Sequence, residues 1–197
     1  MNIVVLGSTG MIGSRVLSEL ERRGHDARGA SRSSGTDVTD PASVAAAVAG
    51  AESVVCAVSA RGVDHTLTDL ARSLVAGLRG AGVGRVVVVG GAGSLEVAPG
   101  VRLVDSPGFP EEYRAEALQA ADALDYFRTV EDLDWTYVSP AAEIAPGERT
   151  GSYRLGGDQL LVGADGRSHI SAEDFAIAIA DLAESGEKAR MRVTAAW

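Results

Sequence analysis

Three glycines near the start of the chain carry the clearest chemical signal. They stand three positions apart, after a short apolar run and before a segment with helical periodicity. Between a strand and a helix, such glycines let the backbone turn tightly and approach a pyrophosphate, which the N–H groups of the helix N-terminus bind. This context predicts a dinucleotide site rather than a plain turn or a methyltransferase loop. The residues of the predicted site are Gly7, Ser8, Thr9, Gly10, Met11, Ile12 and Gly13.

A second motif bears on which dinucleotide binds. The second apolar run ends in GASRSS, so Arg32 stands where a carboxylate would hold the ribose 2′-hydroxyl of NAD. A guanidinium, with the hydroxyls of Ser31 and Ser33, suits a 2′-phosphate instead, and the motif favours NADP(H) over NAD(H). A solvated surface arginine is the alternative. Asp37 and Val38 follow as candidate adenine contacts.

Composition excludes several classes of protein. The net charge of −9 argues against nucleic-acid binding, which depends on clustered Lys and Arg. Cys56 is the single cysteine and the three histidines are dispersed, so we predict neither an internal disulfide nor a metal site. No signal peptide and no stretch of about 20 apolar residues is present, which predicts a cytoplasmic protein without a membrane partner. None of these features predicts an oligomeric state.

Short valine-rich runs alternate with helical patterns along the chain. This alternation predicts one α/β domain over residues 1–197, with a doubly wound parallel sheet and a small substrate lobe from about residue 140. Asp40-Pro41 is typical of a helix start. Asp165-Gly166 predicts a hairpin, and a capping pair follows at Ser171 and Asp174. The predicted strands are Ile3–Leu6, Ala27–Ala30, Ser53–Val58, Val86–Val89, Trp135–Val138 and Arg192–Thr194.

Several segments together resemble one group of proteins, the atypical short-chain dehydrogenases/reductases. The closest resemblance is to the NAD(P)H-binding group of biliverdin reductase B/flavin reductase and the bacterial proteins assigned as NADH-flavin reductases. It runs nearly from end to end of the chain. The segments that carry it are GSTGMIG (7–13), TDVTD (36–40), VVCAVSA (54–60), RVVVVGGAG (85–93), LDWTYVSPA (133–141), TGSYRL (150–155) and SHISAEDFA (168–176).

The resemblance implies a Rossmann fold in which the loops after the fourth, fifth and sixth strands face the nicotinamide. Carried over by position, the residues of these loops are Ala57, Val58 and Ser59, then Gly90 and Gly91, then Pro140 and Ala141. Tight strand-end turns would use the same small residues. The resemblance also places the segment with Arg149, Tyr153 and Arg154 across the substrate mouth, with an ordinary exposed loop as the alternative.

The polar groups of the resembled enzymes are absent at three positions. Tyr113 has Ala117, not lysine, four residues later. Gly91 stands at the position of a catalytic serine, although Ser94 follows three residues on, and Ala142 or Glu143 replaces a histidine. Ser94 and Tyr113 are therefore the candidate catalytic residues.

The missing donors bear on the acceptor. Carbonyl reduction needs a positioned acid worth about 10²–10⁴ in rate, whereas a flavin or quinone ring delocalises the charge and takes its proton from solvent. The sequence thus predicts an NAD(P)H-dependent oxidoreductase that passes hydride to a flavin- or quinone-like small molecule. An NmrA-like redox sensor without turnover is the first alternative. A nucleotide-sugar epimerase or dehydratase, which needs the tyrosine pair and a larger C-terminal region, is the second.

Overall fold

A seven-stranded sheet forms the centre of the structure, a computed structural model that describes residues 1–59 and 64–197. All neighbouring strands run parallel except the last pair, which is antiparallel. From edge to edge the strands are β2 (Asp26–Ala30), β1 (Asn2–Leu6), β3 (Ser53–Cys56), β4 (Arg85–Val89), β7 (Asp134–Pro140), β11 (Met191–Ala196) and β9 (Arg154–Gly156). Two small sheets pair β5 (Glu96–Ala98) with β6 (Val101–Arg102), and β8 (Glu143–Ala145) with β10 (His169–Ser171).

Helices cover both faces of the large sheet. Two buried clusters lie on opposite faces, one beneath the second, third and fourth helices and the other beneath the first and fifth. The helices are α1 (Met11–Arg22), α2 (Pro41–Val48), α3 (Leu67–Ala81), α4 (Glu111–Arg128) and α5 (Ala172–Ser185). The predicted doubly wound α/β sheet is confirmed.

Alternate side chains of the central strands fill the two clusters. Val4, Val54 and Val86 belong to one cluster, and their neighbours Val5, Val55 and Val87 belong to the other. Because a strand turns successive side chains to opposite faces, a strand buried on both faces has to be apolar throughout. The runs of valine therefore fix these strands in the middle of the sheet.

Local signals set the helix ends largely as predicted. The carboxylate of Asp40 accepts a hydrogen bond from the N–H of Ala42 at 3.0 Å, and Pro41 begins α2. Gly24 follows α1 with φ of +80°, a conformation that glycine adopts at little cost. Ser171 caps α5 by accepting from the N–H of Asp174 at 3.0 Å.

Two expectations about strands were wrong. Asp165-Gly166 does form a turn, with Gly166 donating to the carbonyl of Gly163 at 3.0 Å, but no hairpin follows. The strand after the turn, β10, pairs in parallel with β8. The resemblance also counts Ser53 in a fourth strand, whereas β3 is the third, because α2 and turns occupy residues 31–52.

The last third of the chain adds to the main sheet and its core. β9 and β11 extend the sheet, and α5 packs against α1. Phe175 and Ile179 of α5 are fully buried. The role of residues 140–197 as a substrate lobe stays a prediction. Within the described ranges, no helix has both the length and the apolar character that crossing a membrane requires.

Candidate cofactor-binding site

A cleft opens at the carboxyl edge of the sheet between β1 and β3. From β1 the sheet continues to β2 on one side and to β3 and β4 on the other, and ligands of such sheets bind where the strand order changes direction. The cleft has a volume of about 330 Å³. The described residues that line it are Gly7, Thr9, Gly10, Ser31, Arg32, Ser33, Asp37, Val38, Thr39, Ala57, Val58, Ser59 and Leu70. Ala60, at the end of the VVCAVSA segment, lies outside the described residues.

Glycine is required at two positions of the first loop. Gly7 has φ of +81°, and a Cβ on it would lie 2.5 Å from the carbonyl oxygen of Ala57. A Cβ on Gly13 would lie 2.2 Å from the carbonyl oxygen of Gly7. Any side chain at either position would push the loop away from β3 or from the start of α1. The tight turn predicted from the glycine spacing is present.

The start of α1 is suited to an anion. Its N-cap is Gly10, which has no side chain to bind the first N–H groups, and the first turn contains no acid. The N–H groups of Met11, Ile12 and Gly13 therefore have no partner within the helix, and the positive end of the helix dipole adds to them. This part of the cleft fits a pyrophosphate.

Not every residue of the glycine loop faces the cleft. The hydroxyl of Ser8 lies against β2, where a Cβ on Gly29 would come within 2.7 Å of it. Ile12 packs against the cluster beneath α1 and α5, while Met11 is 43% exposed. Ser8 and Ile12 thus shape the loop through packing, and their predicted contact with a cofactor would be through the backbone.

Hydrogen bonds among residues 31–34 hold the turn that contains Arg32, and they do not involve the Arg32 guanidinium. The Ser34 hydroxyl accepts from the N–H of Ser31 at 2.9 Å and donates to the carbonyl of Ser31 at 2.9 Å. The Ser31 and Ser33 hydroxyls lie 2.8 Å apart. The Arg32 carbonyl accepts from the N–H of Gly35 at 3.1 Å, while the exposed guanidinium makes no hydrogen bond or ion pair with the described residues. An arginine beside two hydroxyls at the cleft fits a phosphate on the adenosine ribose.

Another part of the cleft lining combines an acid with apolar side chains. The carboxylate of Asp37 accepts from the N–H of Thr39 at 2.9 Å and from its hydroxyl at 2.7 Å. These bonds, with smaller effects of His65 and Arg32, hold the pKa of Asp37 below its ordinary value. Val38 and Leu70 supply the apolar surface. The sequence prediction missed Thr39 and Leu70 as lining residues. Leu70 lies on α3 and reaches the cleft only in the folded chain.

The residues predicted to face the nicotinamide beyond β3 share the carboxyl edge but do not line the cleft. A Cβ on Gly90 would lie 1.9 Å from the Tyr137 ring, so the fold itself requires glycine there. Gly91 lies beside α4, where a Cβ would approach Ala120 to 3.0 Å. Pro140 ends β7 and Ala141 is buried in the α5 cluster. Packing accounts for Gly90 and Ala141 without a cofactor.

Tyr137 offers no acid at this end of the sheet. Its hydroxyl donates to the carbonyl of Ala120 at 2.8 Å, and the side chain is buried. Burial raises the pKa of Tyr137 well above its ordinary value. The phenol is a structural group of the core.

The two candidate catalytic residues lie on different elements. Ser94 accepts a hydrogen bond from Nη1 of Arg192 at 2.9 Å. Tyr113 is in the first turn of α4 and 53% exposed. One turn later, Ala117 is buried against the loop after β4, since a Cβ on Gly93 would lie 2.6 Å from the Ala117 Cβ. The position of the catalytic lysine is therefore occupied by an alanine that packs against Gly93.

Residues 7–185 match the model of a protein family described as NAD(P)H-binding. The chain belongs to this NAD(P)H-binding family.

Three solved structures are similar to the chain over nearly its whole length. A putative exported protein from Burkholderia pseudomallei is 48% identical, with a TM-score of 0.88 and coverage of 99% of this chain and 98% of the other. A putative epimerase from Bacteroides thetaiotaomicron is 32% identical, with a TM-score of 0.88 and coverage of 99% and 96%. A putative NADH-flavin reductase from Streptococcus pneumoniae is 31% identical, with a TM-score of 0.88 and coverage of 100% and 99%. The predicted resemblance to this group is confirmed.

The segment expected to cross the substrate mouth contacts α1 and α5 and also lines a second pocket, with Glu148, Thr150, Ser152 and Trp197. Its place at a substrate mouth stays a prediction. Arg149 donates to the carboxylate of Glu19 in α1 at 3.1 Å, and the Tyr153 hydroxyl donates to Asp181 in α5. Arg154 donates to the carbonyl of Val162 at 3.1 Å. These side chains are used to hold the C-terminal third in place.

The two residues at the position of the family histidine have other partners. At the position of the family histidine, Glu143 pairs with Arg167 on the surface. Ala142 only donates its N–H to the hydroxyl of Ser168, at 3.1 Å. Among residues 1–59 and 64–197, no three His, Cys, Asp or Glu side chains are grouped so that they could hold a metal ion.

Proposed function

We propose that this member of the NAD(P)H-binding family is an NADPH-dependent reductase that passes hydride to a flavin- or quinone-like ring. Family membership supports an NAD(P)H-dependent oxidoreductase in general. The preference for NADPH and the class of acceptor go beyond what family membership supports. Arg32 supports the first and the missing proton donors support the second.

The chain's own residues would hold the cofactor in three places. The N–H groups at the start of α1 bind the pyrophosphate, Arg32 with Ser31 and Ser33 binds the 2′-phosphate, and Val38 with Leu70 packs against adenine. When bound, the reduced nicotinamide supplies the hydride. The protein's contribution is to orient it against the acceptor, which converts a bimolecular encounter into a reaction at fixed geometry.

The observation that carries the proposed acceptor is the packing of Ala117 on Gly93. A carbonyl reductase needs an acid in place when the alkoxide forms, and this contact fills the position of the lysine that would serve it. A flavin or quinone needs no such acid. The Streptococcus pneumoniae structure is described as a putative NADH-flavin reductase, which supports the acceptor but not the preference for NADPH.

Two other functions have specific support. The predicted acceptor-end residues Gly90, Gly91, Ser94, Pro140 and Ala141 include no acid or base, as in a sensor that binds NADP(H) without turnover. The Bacteroides structure is described as a putative epimerase. Ala117 weighs against that chemistry, because sugar epimerisation needs the tyrosine–lysine pair. A cytoplasmic location stays a prediction, since the Burkholderia relative is described as a putative exported protein.

Steady-state kinetics with NADPH or NADH would test the proposal. FMN, riboflavin and menadione are the acceptors, and an aromatic aldehyde is the contrasting carbonyl substrate. We expect turnover with the rings, little or none with the aldehyde, and a higher kcat/KM for NADPH than for NADH. NADPH that binds without turnover of any ring would exclude the reductase and favour the sensor.

A further inference from the structure

We infer that Arg192 is a positioning residue that presents the Ser94 hydroxyl to the acceptor as a hydrogen-bond donor. The inference rests on the proposed function. It identifies the acceptor by a carbonyl oxygen conjugated with the redox ring, a feature that flavins and quinones share. Neither residue belongs to the cofactor cleft, and Arg192 has no local sequence signal beyond its place in the last strand.

The Arg192 guanidinium is buried, and each of its three nitrogens donates a hydrogen bond. Its side chain is 4% exposed. Nε donates to Oδ1 of Asp158 at 2.8 Å, and Nη2 donates to the same carboxylate and, at 3.3 Å, to the carbonyl of Asp158. Nη1 donates to Oγ of Ser94 at 2.9 Å. A planar guanidinium held at two of its nitrogens by one residue points the third at a fixed place.

The Nη1 of Arg192 points to Ser94 from beneath the loop that follows β4. Arg192 of β11 pairs in register with Tyr137 of β7, which pairs with Val88 of β4. Residues at one register position of a parallel sheet share a face, so Arg192 lies on the same face as the Tyr137 ring that packs under Gly90. Ser94 therefore ends a loop that starts at the carboxyl edge of β4 and crosses toward β11.

The direction of the hydrogen bond sets the role of Ser94. A guanidinium can only donate, so the Ser94 oxygen is the acceptor and its own proton is left for another group. Within residues 1–59 and 64–197, the Ser94 hydroxyl has no hydrogen bond other than the one from Arg192. Accepting from a cation polarises the hydroxyl and makes it a stronger donor.

The charges favour an acceptor that becomes negative. The Asp158 side chain is 59% exposed, so water screens the carboxylate, while the buried guanidinium is screened far less. The positive charge of Arg192 therefore lies buried beneath the loop, while its carboxylate partner is mostly in solvent. On hydride transfer the nicotinamide is oxidised, and the acceptor ring gains the hydride with its two electrons. Ser94 donates its hydrogen bond to the conjugated oxygen, where negative charge collects, and solvent supplies the proton that completes the reduction.

The test compares Ser94→Ala with Ser94→Thr, using NADPH and either FMN or menadione. Ser94→Ala removes the hydrogen bond to the negatively charged oxygen of the acceptor, and we expect it to lower kcat/KM for the acceptor about 10- to 100-fold. The dissociation constant of NADPH changes less than about twofold, and Ser94→Thr retains most of the activity. Ser106→Ala is the matched control, because Ser106 lies in the same connection and donates only to the carbonyl of Arg102. Its kinetics match the wild type.

A double-mutant cycle separates positioning from mere stability. Arg192→Lys lowers kcat/KM in the wild-type background and has no further effect when Ser94 is already alanine, because it acts through Ser94. If Arg192→Lys fails to fold, Asp158→Asn replaces it in the cycle, since Asp158 is mostly exposed and the substitution leaves Arg192 in place. The variant that is used should show the same loss with FMN and with menadione.

The outcomes distinguish this inference from the proposed function. Turnover by Ser94→Ala at the wild-type rate overturns the inference and leaves the reductase standing. An equal loss from Arg192→Lys with and without the Ser94 hydroxyl overturns the positioning role. A loss with FMN alone, or with menadione alone, overturns the shared carbonyl contact. No turnover by the wild-type protein with either ring overturns both proposals.

Discussion

We propose that Arg32 decides between the two nicotinamide cofactors. Its turn is fixed by serine hydrogen bonds that do not involve the guanidinium, so removing the side chain should leave the cleft intact. The 2′-phosphate occurs in NADPH and not in NADH, which makes the effect of this residue selective.

Replacing Arg32 by alanine should weaken NADPH binding about 10- to 100-fold, the value of one or two charge-assisted hydrogen bonds, and change NADH binding less than about twofold. Titration calorimetry with both cofactors measures this. Arg28→Ala is the control, because Arg28 is also exposed but donates to the carbonyl of Ala49 away from the cleft. Equal losses for NADPH and NADH would refute the 2′-phosphate assignment.

Gly90 shows that a glycine predicted to contact the cofactor can be required by packing instead. The sequence places a glycine after a strand, where a cofactor could approach. The structure places the Tyr137 ring there, through a pairing of β4 with β7 that no local pattern contains. The glycine loop was predictable because its chemistry is local: strand, turn and helix start are consecutive. Leu70, Arg192 and Asp158 were not, since each meets its partners only through the fold.

Gly90→Ala should lower the free energy of unfolding by about 1–3 kcal/mol, because the new methyl group overlaps the Tyr137 ring. Gly91→Ala is the comparison, since its Cβ would meet only the Ala120 methyl at 3.0 Å and should cost less. Urea denaturation of both variants gives the difference. The packing explanation fails if Gly90→Ala is as stable as Gly91→Ala.

Among the elements, α4 bears most directly on the reaction. It starts at the carboxyl edge, with Tyr113 in its first turn, and packs Ala117 on Gly93, so the loop after β4 and the helix approach closely. The start of α4 follows Pro110, and the acids Glu111 and Glu112 stand in its first turn. The hairpin predicted at Asp165-Gly166 does not form, because turn residues show that the chain turns but not which strand it then joins.

Ala117→Lys should not create a carbonyl reductase. The position is buried, and a lysine there must displace Gly93 or leave the interface, which we expect to cost about 1–3 kcal/mol. Thermal unfolding and an aldehyde-reduction assay test both points. Ala115→Lys, on the exposed side of the same helix, should be nearly neutral. Aldehyde turnover by a stable Ala117→Lys protein would show that only the lysine was missing.

At the scale of the whole molecule, a buried acid ties the first helix to the C-terminal third. Glu19 of α1 is 5% exposed and accepts from Arg22 at 2.6 Å, from Arg23 at 2.8 Å and from Arg149 at 3.1 Å. Burial alone would raise its pKa, but the hydrogen bonds from Arg149, Arg22 and Arg23 outweigh burial and lower the pKa of Glu19 to about 2.

This linkage predicts a pH-dependent stability. The folded pKa lies below the ordinary 4.5, so the contribution is fully present above about pH 4.5 and is lost as pH falls through about 2. At 1.36 kcal/mol per pKa unit it amounts to at most about 3 kcal/mol. Glu19→Gln should therefore be less stable than the wild type at pH 7, with the difference shrinking toward pH 2. Glu21→Gln, exposed on the same helix, should show no such trend. A pH-independent difference would contradict the linkage.

The proposed reaction is a property of the whole molecule, in which the folded chain moves hydride from NADPH to a ring. Rapid-mixing measurements with NADPH carrying deuterium at the transferred position of C4, and with FMN or menadione in excess, test it directly. We expect the absorbance of the reduced nicotinamide to decay together with that of the acceptor, and deuterium to slow both. A protein that binds NADPH while both absorbances stay constant would contradict it.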